Sequence, residues 1–124
     1  MTTRCPCLSG LPYAECCEPL HRGDSTAPTA EQLMRSRFSA FAVADAEYVL
    51  ASWHASTRPA SLDLDPDVRW YRLDILDRTA GSPLDARGEV EFEAFWRSPT
   101  DRGSQRERST FVREQGRWYY VAEA

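Results

Sequence analysis

All four cysteines of the chain lie in one short segment, Cys5-Pro6-Cys7-Leu8-Ser9-Gly10-Leu11-Pro12-Tyr13-Ala14-Glu15-Cys16-Cys17. They form one pair with a single residue between its members and one adjacent pair. Four sulfur ligands can surround a zinc ion tetrahedrally when the segment between the pairs folds back on itself. Pro6 and Pro12 restrict the backbone and Ser9-Gly10 permits a tight turn, so folding back costs little chain entropy. The segment therefore predicts a zinc knuckle in outline.

Disulfide bonds and redox-active thiols are the alternatives to zinc. Neither cysteine pair suits an internal disulfide, because bridged α-carbons prefer a separation of about 5.5 Å and a demanding torsion angle. Any disulfides would therefore join one pair to the other. The N-terminal residues Met1-Thr2-Thr3-Arg4 lack the apolar run of an export signal, which favours the cytoplasm, where thiols stay reduced. We favour zinc, with inter-pair disulfides, a redox-active pair and unliganded thiols as alternatives.

The pattern Cys-Pro-Cys-x-Ser-Gly-x-x-Tyr-x-x-Cys-Cys resembles the SEC-C motif, a zinc-binding element best known from the C-terminal tail of the SecA translocation motor. The resemblance implies one zinc ion per chain, bound by Cys5, Cys7, Cys16 and Cys17. Four protein ligands leave no position for a reactive water, so we expect the zinc to be structural. The motif usually has glycine where this chain has Leu8, and we expect a strained or altered backbone there.

Composition narrows the classes of function. With 124 residues, 42% of them hydrophobic, the chain can form one compact domain plus an appendage. No apolar run approaches the roughly 20 residues needed to cross a bilayer, so we expect no membrane integration. A net charge of -4 argues against general binding to nucleic acid. The arginines near the C-terminus are interrupted by Glu107 and Glu114, which weakens a nucleic-acid interface further.

Residues 18–28 are rich in proline, glycine and small polar residues and predict a linker. We therefore divide the chain into a zinc knuckle with linker at residues 1–27 and a folded domain at residues 28–124, with a flexible connection between them. His21, close to Cys17 in sequence, is either a spare metal ligand or a hydrogen-bond donor to a thiolate. A solvated or packing histidine is the favoured interpretation.

Two helices are predicted after the linker. The first begins at Thr29, where Thr29-x-x-Gln32 matches a capping box. Its apolar face comprises Leu33, Met34, Phe38, Phe41 and Ala42. The sides and back of the helix are assigned to Arg35, Ser36, Arg37 and Ser39. A second, short helix is predicted after Asp45, with an apolar stripe of Tyr48, Val49, Leu50 and Trp53.

From Val68 onward the apolar residues recur with a period of two, which indicates strands. Tyr71, Leu73 and Ile75 are predicted to share one strand face. A clearer alternation follows at Val90, Phe92, Ala94 and Trp96. Two more strands are predicted at residues 105–113 and 118–122, joined by a hairpin at Gln115-Gly116. Helices followed by long antiparallel strands predict an α+β domain in which the helices pack on a curved antiparallel sheet.

A second resemblance covers nearly the whole chain. The stretches that carry it are Leu33-Met34-Arg35-Ser36-Arg37-Phe38-Ser39-Ala40-Phe41, Trp53-His54-x-Ser56-Thr57-Arg58-Pro59 and Glu107-Arg108-Ser109-x-Phe111. They resemble the YchJ-like family of small bacterial proteins, which join an SEC-C motif to a cone-shaped domain of the nuclear transport factor 2-like (cystatin-like) superfamily. The resemblance implies a fold, and it brings no established biochemical activity with it.

A candidate ligand pocket combines aromatic, imidazole and guanidinium groups. Trp53, His54 and Arg58 lie where a helix gives way to a loop, and a cone-shaped fold can hold a small ligand between its helices and its sheet. His54 is the natural acid or base of such a pocket, and Arg35 is a further candidate member. The favoured interpretation is structural, with Trp53 in the core and His54 satisfying backbone groups at the helix end.

Charged residues elsewhere are interpreted as structural. Arg35 and Arg37 are two apart on a helix and point about 200° apart, so they cannot grip one anion together. We expect one of them to pair with Asp74 or Asp77, with a buried arginine in the cone as the alternative. The strand carboxylates are expected to form a solvated face paired with arginines across strands, and they are Glu89, Glu91 and Glu93.

These observations favour a cytoplasmic zinc-binding interaction or adaptor module with a protein partner. The SEC-C resemblance implies a link to translation or protein export, because the similar motif of SecA docks protein and ribosomal partners. The competing hypothesis is a small-ligand carrier or enzyme that uses the cone pocket.

Overall fold

The computed structural model describes residues 3–124. A 3-10 helix, Tyr13–Glu15, precedes the α-helices, which are α1 (Glu18–His21), α2 (Ala30–Ala42) and α3 (Ala46–Ala51). The strands are β1 (Arg69–Ala80), β2 (Arg87–Arg97), β3 (Arg102–Glu114) and β4 (Arg117–Glu123). Within residues 3–124, no helix combines the length and the apolar character that crossing a membrane requires.

The two helix starts predicted from sequence are confirmed. The Thr29 side chain accepts a hydrogen bond from the backbone N–H of Gln32 at 3.1 Å and caps α2. The Asp45 carboxylate accepts one from the backbone N–H of Tyr48 at 3.0 Å and caps α3. Helix α3 ends at Ala51, so Trp53 lies beyond it and not on its apolar stripe.

The four strands form one antiparallel sheet in the order β1-β2-β3-β4, in which each strand pairs with its neighbour in sequence. Gln115 and Gly116 both have positive φ angles, as expected for a tight hairpin between β3 and β4. Bulges in the β1–β2 and β3–β4 pairings bend the strands. The result is the curved sheet predicted from the sequence.

Helix α2 packs on the concave face of this sheet. The buried core combines helix and strand residues, among them Leu33, Phe38, Leu73, Val90, Phe92, Phe111 and Trp118. The predicted alternation of β2 is confirmed, because Val90, Phe92 and Ala94 are buried. The indole N–H of Trp118 donates to the carbonyl of Pro28 at 3.2 Å and holds the start of α2 against β4.

One predicted strand face is wrong. Tyr71 was placed with Leu73 and Ile75, but its side chain is 43% exposed, whereas Leu73 is buried. The register of β1 shifts between Trp70 and Arg72, so Tyr71 is the extra residue of a bulge. An extra residue reverses the alternation of faces, and Trp70 takes the inward position that the period of two assigned to Tyr71.

Three of the four residues assigned to the sides and back of α2 are enclosed by other elements. Ser36, Arg37 and Ser39 are buried together with the apolar face. The cysteine segment and α1 cover Ser36 and Ser39, and α3 with β4 encloses Arg37. Helix α2 is therefore the central element of the fold, with neighbours on nearly every side.

Candidate metal centre and interior cavity

The cysteine segment folds back because its two limbs pair. Arg4 and Pro12 form an antiparallel bridge, and the N–H of Cys5 donates to the carbonyl of Leu11 at 2.9 Å. A hydrogen bond of 3.1 Å from the N–H of Leu8 to the carbonyl of Cys5 closes the turn between them. The 3-10 helix then returns the chain, which brings the second cysteine pair against the first.

The four sulfur atoms converge on one point. All of them lie within 4.8 Å of one another, and the Cys16 sulfur is 3.6 Å from that of Cys7 and 3.9 Å from that of Cys17. A zinc ion about 2.3 Å from each of four sulfurs requires sulfur–sulfur separations of about 3.8 Å. The four cysteines are free thiols, and their arrangement fits a tetrahedral metal site with little movement. They were predicted as the ligand set, and the structure brings them together.

Hydroxyl groups contact the sulfurs from two sides. The Ser39 hydroxyl donates to the Cys17 sulfur at 3.3 Å and lies 3.5 Å from the Cys5 sulfur. On the outer side, the Ser9 hydroxyl lies 3.1 Å from the Cys16 sulfur. Such hydrogen bonds orient metal ligands and stabilise thiolate charge. Ser39 belongs to α2, so the candidate metal centre depends on the folded domain as well as on its own segment.

The cluster favours one thiolate before any metal binds. Hydrogen bonds, above all one from the Cys17 thiol, lower the pKa of Cys7 to about 4. Burial raises the pKa of Cys16 to about 11, while the hydrogen bond to Cys7 and then burial raise the pKa of Cys17. At neutral pH the metal-free cluster thus holds protons that a metal ion must displace. Metal binding is expected to release protons and to weaken in acid.

Leu8 has the left-handed backbone that the sequence comparison with the motif anticipated. Its φ angle is 65°, a conformation that costs an ordinary residue roughly 1–2 kcal/mol and glycine almost nothing. The turn is therefore retained with a strained leucine, whose side chain is 52% exposed.

The predicted flexible connection between the knuckle and the domain is wrong. Arg35 donates from Nη1 to the carbonyl oxygen of Cys7 at 2.7 Å, and Cys5 and Cys17 are buried against Ser39. Residues 18–21, assigned to a linker, form the one-turn helix α1. The knuckle packs against α2 through these contacts.

His21 links the knuckle to α2 and does not belong to the sulfur cluster. Its Nδ1 lies 2.6 Å from the Tyr13 hydroxyl, and its Nε2 lies 2.8 Å from the carbonyl oxygen of Ser36. The Ser36 carbonyl can only accept, so the imidazole proton is assigned to Nε2. Nδ1 then accepts from the Tyr13 hydroxyl, which stays protonated because burial raises the pKa of Tyr13 to about 12. Both nitrogens are thereby used, in agreement with the favoured packing role.

The structure does not bring together the four residues predicted to line a pocket. Trp53 lies in the wall of a cavity between α2 and the sheet. His54 lies at the surface, where its Nε2 is 3.0 Å from a carboxylate oxygen of Glu114. Arg58 donates to the backbone carbonyl of Trp53, and Arg35 holds the cysteine segment.

Arg37 lines the cavity, although the favoured sequence interpretation was that Arg35 or Arg37 pairs with Asp74 or Asp77. Neither Arg35 nor Arg37 pairs with Asp74 or Asp77, because Arg72 and Arg108 take those two carboxylates. Arg37 instead lines the cavity, as the alternative interpretation had it. A signal was present in the sequence: positions 34, 37 and 41 are spaced by three and four, and they share one face of a helix with apolar residues at both ends.

Two family models match different parts of the chain. A family model described as the middle NTF2-like domain of YchJ matches residues 29–123, and a model of the SEC-C motif matches residues 1–19. The chain belongs to the YchJ family. Its fold is accordingly an NTF2-like α+β domain that carries an N-terminal SEC-C motif, as the two resemblances implied.

Relatives from several bacteria are similar over almost the full chain. A UPF0225 protein of Corynebacterium glutamicum is 51% identical over 97% of this chain and 95% of its own length. A UPF0225 protein of Streptomyces coelicolor is 50% identical over 97% and 94%.

Two solved structures are similar to this chain over most of its length. A SEC-C motif containing protein from Rhodopseudomonas palustris is 31% identical, with a TM-score of 0.83 over 100% of this chain and 98% of the other. Another from Psychrobacter arcticus is 29% identical, with a TM-score of 0.77 over 94% and 79%. The knuckle and the cone thus occur together in related proteins.

Proposed function

We propose that this chain is a cytoplasmic interaction module whose SEC-C knuckle binds one structural zinc ion and presents a docking surface to a protein partner. The convergence of four thiols within 4.8 Å carries the proposal. Cys5, Cys7, Cys16 and Cys17 would hold the ion and complete its coordination, so the zinc would act as a cross-link and not as a Lewis acid.

The orientation of the knuckle supports docking on its outer side. Its inner side is occupied by α2 through Arg35 and Ser39. Leu8 and Leu11 of the same loop are 52% and 49% exposed. Exposed apolar side chains on a rigid, metal-linked loop favour contact with another protein.

The class of partner is inferred from resemblance. The related proteins of known structure are described as SEC-C motif containing, and the similar motif of SecA docks protein and ribosomal partners. We therefore take the translation or export machinery as the first candidate, with ribosomes as the probe.

The metal content of the purified protein tests whether the knuckle binds one zinc ion. Native mass spectrometry of protein purified without added metal should show one zinc per chain, and a Cys16→Ser variant should lose most of it, because three ligands bind zinc far more weakly than four. A Ser104→Ala variant, changed on the sheet, is the matched control and should keep its zinc. A metal-free chain with reduced thiols, or a mass lowered by disulfide formation, would contradict the proposal.

Co-sedimentation with purified ribosomes tests the docking surface. A Leu8→Ser, Leu11→Ser double variant should lose binding that the zinc-loaded wild type shows. Leu76→Ser is the control, since Leu76 lies in β1 and is similarly exposed, at 43%. Equal sedimentation of the two variants would show that the leucines of the knuckle are not the contact.

A further inference from the structure

The cavity between α2 and the concave face of the sheet has a volume of about 290 Å³. Half of the residues in its wall are aromatic, and these are Phe38, Phe41, Trp53, Trp70, Phe92 and Tyr120. Small-molecule pockets in proteins begin at about 300 Å³ and combine such walls with a few polar groups. This cavity therefore suits a molecule of one or two rings.

Arg37 is a buried cation in this wall without a carboxylate partner among residues 3–124. It is 4% exposed, and its guanidinium carbon lies 4.5 Å from the ring centroid of Tyr120 and 5.2 Å from that of Trp53. Its Nη1 donates to the carbonyl oxygen of Val49 at 2.8 Å and to the hydroxyl of Ser52 at 2.7 Å. Two aromatic faces and two neutral acceptors hold the group without neutralising its charge.

Two nitrogens of the Arg37 guanidinium, Nε and Nη2, remain available for another partner. The two hydrogens of Nη1 are used by Val49 and Ser52, whereas no hydrogen bond from Nε or Nη2 is formed to any residue between 3 and 124. Nε and Nη2 form the side of a guanidinium that grips a carboxylate through two parallel hydrogen bonds. An anion at this position would neutralise a charge whose burial is otherwise unfavourable.

Ser109 is a second, independent sign of a missing partner. It lies on β3, lines the same cavity and is 1% exposed. Its hydroxyl is buried and has no hydrogen-bond partner in the described part of the chain. A buried hydroxyl without a partner is destabilising, so its presence in an aromatic wall calls for an explanation. A polar atom of a bound ligand would supply one.

One carboxylate in the wall of the cavity restricts the charge of the ligand. Glu107 also lines it and is not within 4.0 Å of the Arg37 nitrogens, so it does not neutralise the guanidinium. A carboxylate in the wall disfavours ligands with two or more negative charges, such as phosphate esters. An aromatic wall with one available cation favours a monoanion with an apolar body.

We propose that the cavity binds a small aromatic carboxylate. The carboxylate is held by Nε and Nη2 of Arg37, the Ser109 hydroxyl donates to a polar atom of the same ligand, and the ring packs against the aromatic wall. This site is separate from the knuckle, so it does not depend on the proposed zinc or partner.

Titration of the full chain as purified, followed by ¹⁵N–¹H NMR, tests the proposal. The probe is 2-naphthoate, and 2-naphthamide is the matched neutral molecule of nearly the same shape. The acid should shift amide signals of α2 and β3 near the cavity and bind at least about tenfold more tightly than the amide, as expected for a charge-assisted pair of hydrogen bonds. Equal affinities, shifts confined to other surfaces, or no binding of either probe at about 5 mM would overturn it.

Substitutions of Arg37 and Ser109 test which of the two residues contacts the ligand. Arg37→Met should abolish the preference for the acid over the amide, and Arg37→Lys should restore only part of it, since lysine keeps the charge but loses the fork. Ser109→Ala should raise the melting temperature of the ligand-free protein and weaken naphthoate binding by about threefold to tenfold. A Ser109→Ala protein that is more stable yet binds naphthoate as the wild type does would remove Ser109 from the proposed site. If Arg37→Met does not fold, the comparison of acid with amide on the wild type still decides the outcome.

Discussion

Arg35 donates a hydrogen bond of 2.7 Å from its Nη1 to the carbonyl oxygen of Cys7 and so joins helix α2 to the cysteine loop. The same side chain pairs with Glu31 one turn earlier in α2, at 3.1 Å. The ion pair with Glu31 thus orients the guanidinium for its hydrogen bond to the loop. The knuckle and the cone are connected by a charged hydrogen bond that a change at either end will affect.

We expect Arg35→Met to weaken metal binding and to lower the free energy of unfolding by about 1–2 kcal/mol, because it leaves the Cys7 carbonyl without its charged donor. Competition with a chromogenic zinc chelator measures the affinity, and urea denaturation measures the stability. Arg78→Gln is the control: Arg78 also pairs with Glu31 but is largely exposed, so this change should have little effect. Unchanged zinc affinity in Arg35→Met would show that the loop is ordered independently of α2.

Replacement of Leu8 tests the strain in the knuckle. Leu8→Gly should raise zinc affinity by about threefold to tenfold, because glycine adopts a φ of 65° without the roughly 1 kcal/mol that a side chain costs there. The zinc affinity of Leu8→Asn should lie between those of the wild type and Leu8→Gly. Leu8→Val should bind zinc more weakly than the wild type, since β-branched residues tolerate positive φ angles poorly. The same chelator competition ranks the four proteins, and any order that places valine first would contradict the explanation.

A close approach between two glycines holds the β1–β2 hairpin against the start of α2. A Cβ atom added at Gly88 would lie 2.6 Å from the Cα of Gly81 and 3.2 Å from the Cβ of Ala30. The Ala30 N–H donates to the Gly81 carbonyl at 3.0 Å, so this backbone has little freedom to move away. We expect Gly88→Ala to destabilise the protein by about 1–3 kcal/mol through overpacking.

Thermal unfolding followed by circular dichroism measures the effect of Gly88→Ala. Gly116→Asn is a suitable comparison, because a Cβ there meets no atom within 4 Å and asparagine tolerates a positive φ angle. A Gly88→Ala melting temperature as high as that of Gly116→Asn would show that the hairpin can shift.

Glu107 and Asp85 should affect stability with opposite dependence on pH. Burial raises the pKa of Glu107, so the folded state favours its proton and loses relative stability as pH rises through the folded pKa. Glu107→Gln should therefore raise the melting temperature at pH 7, by about 1 to 3 °C, with little difference from wild type near pH 4. Hydrogen bonds from Ser82 lower the pKa of Asp85, so its contribution is present at neutral pH and lost in acid.

Melting temperatures of both variants across this pH range check the assignment. Asp85→Asn should be less stable than wild type at pH 7 and approach it as pH falls. If Glu107→Gln gained stability in acid and not at neutral pH, the environment assigned to Glu107 would be wrong.

The local sequence pattern was sufficient to predict the helices, the strands and the cysteines that come together. Thr29 and Asp45 cap their helices as predicted because a cap depends on residues three positions apart. The alternation of β2 predicted its buried face because the period of a strand is a property of the backbone. The four cysteines meet because proline, glycine and the short loop between the pairs leave the segment few ways to fold.

Contacts between distant parts of the chain decided the rest. Arg37 is buried because α3 and β4 close over it, and His21 is held because Ser36 of α2 lies opposite it. Tyr71 turns outward because of a bulge that only the pairing of β1 with β2 determines. The sequence by itself determined which side chains carry sulfur, charge and aromatic surface. The tertiary structure decided which of them lose their contact with water, because burial depends on all the elements that surround a residue and not on its own helix or strand.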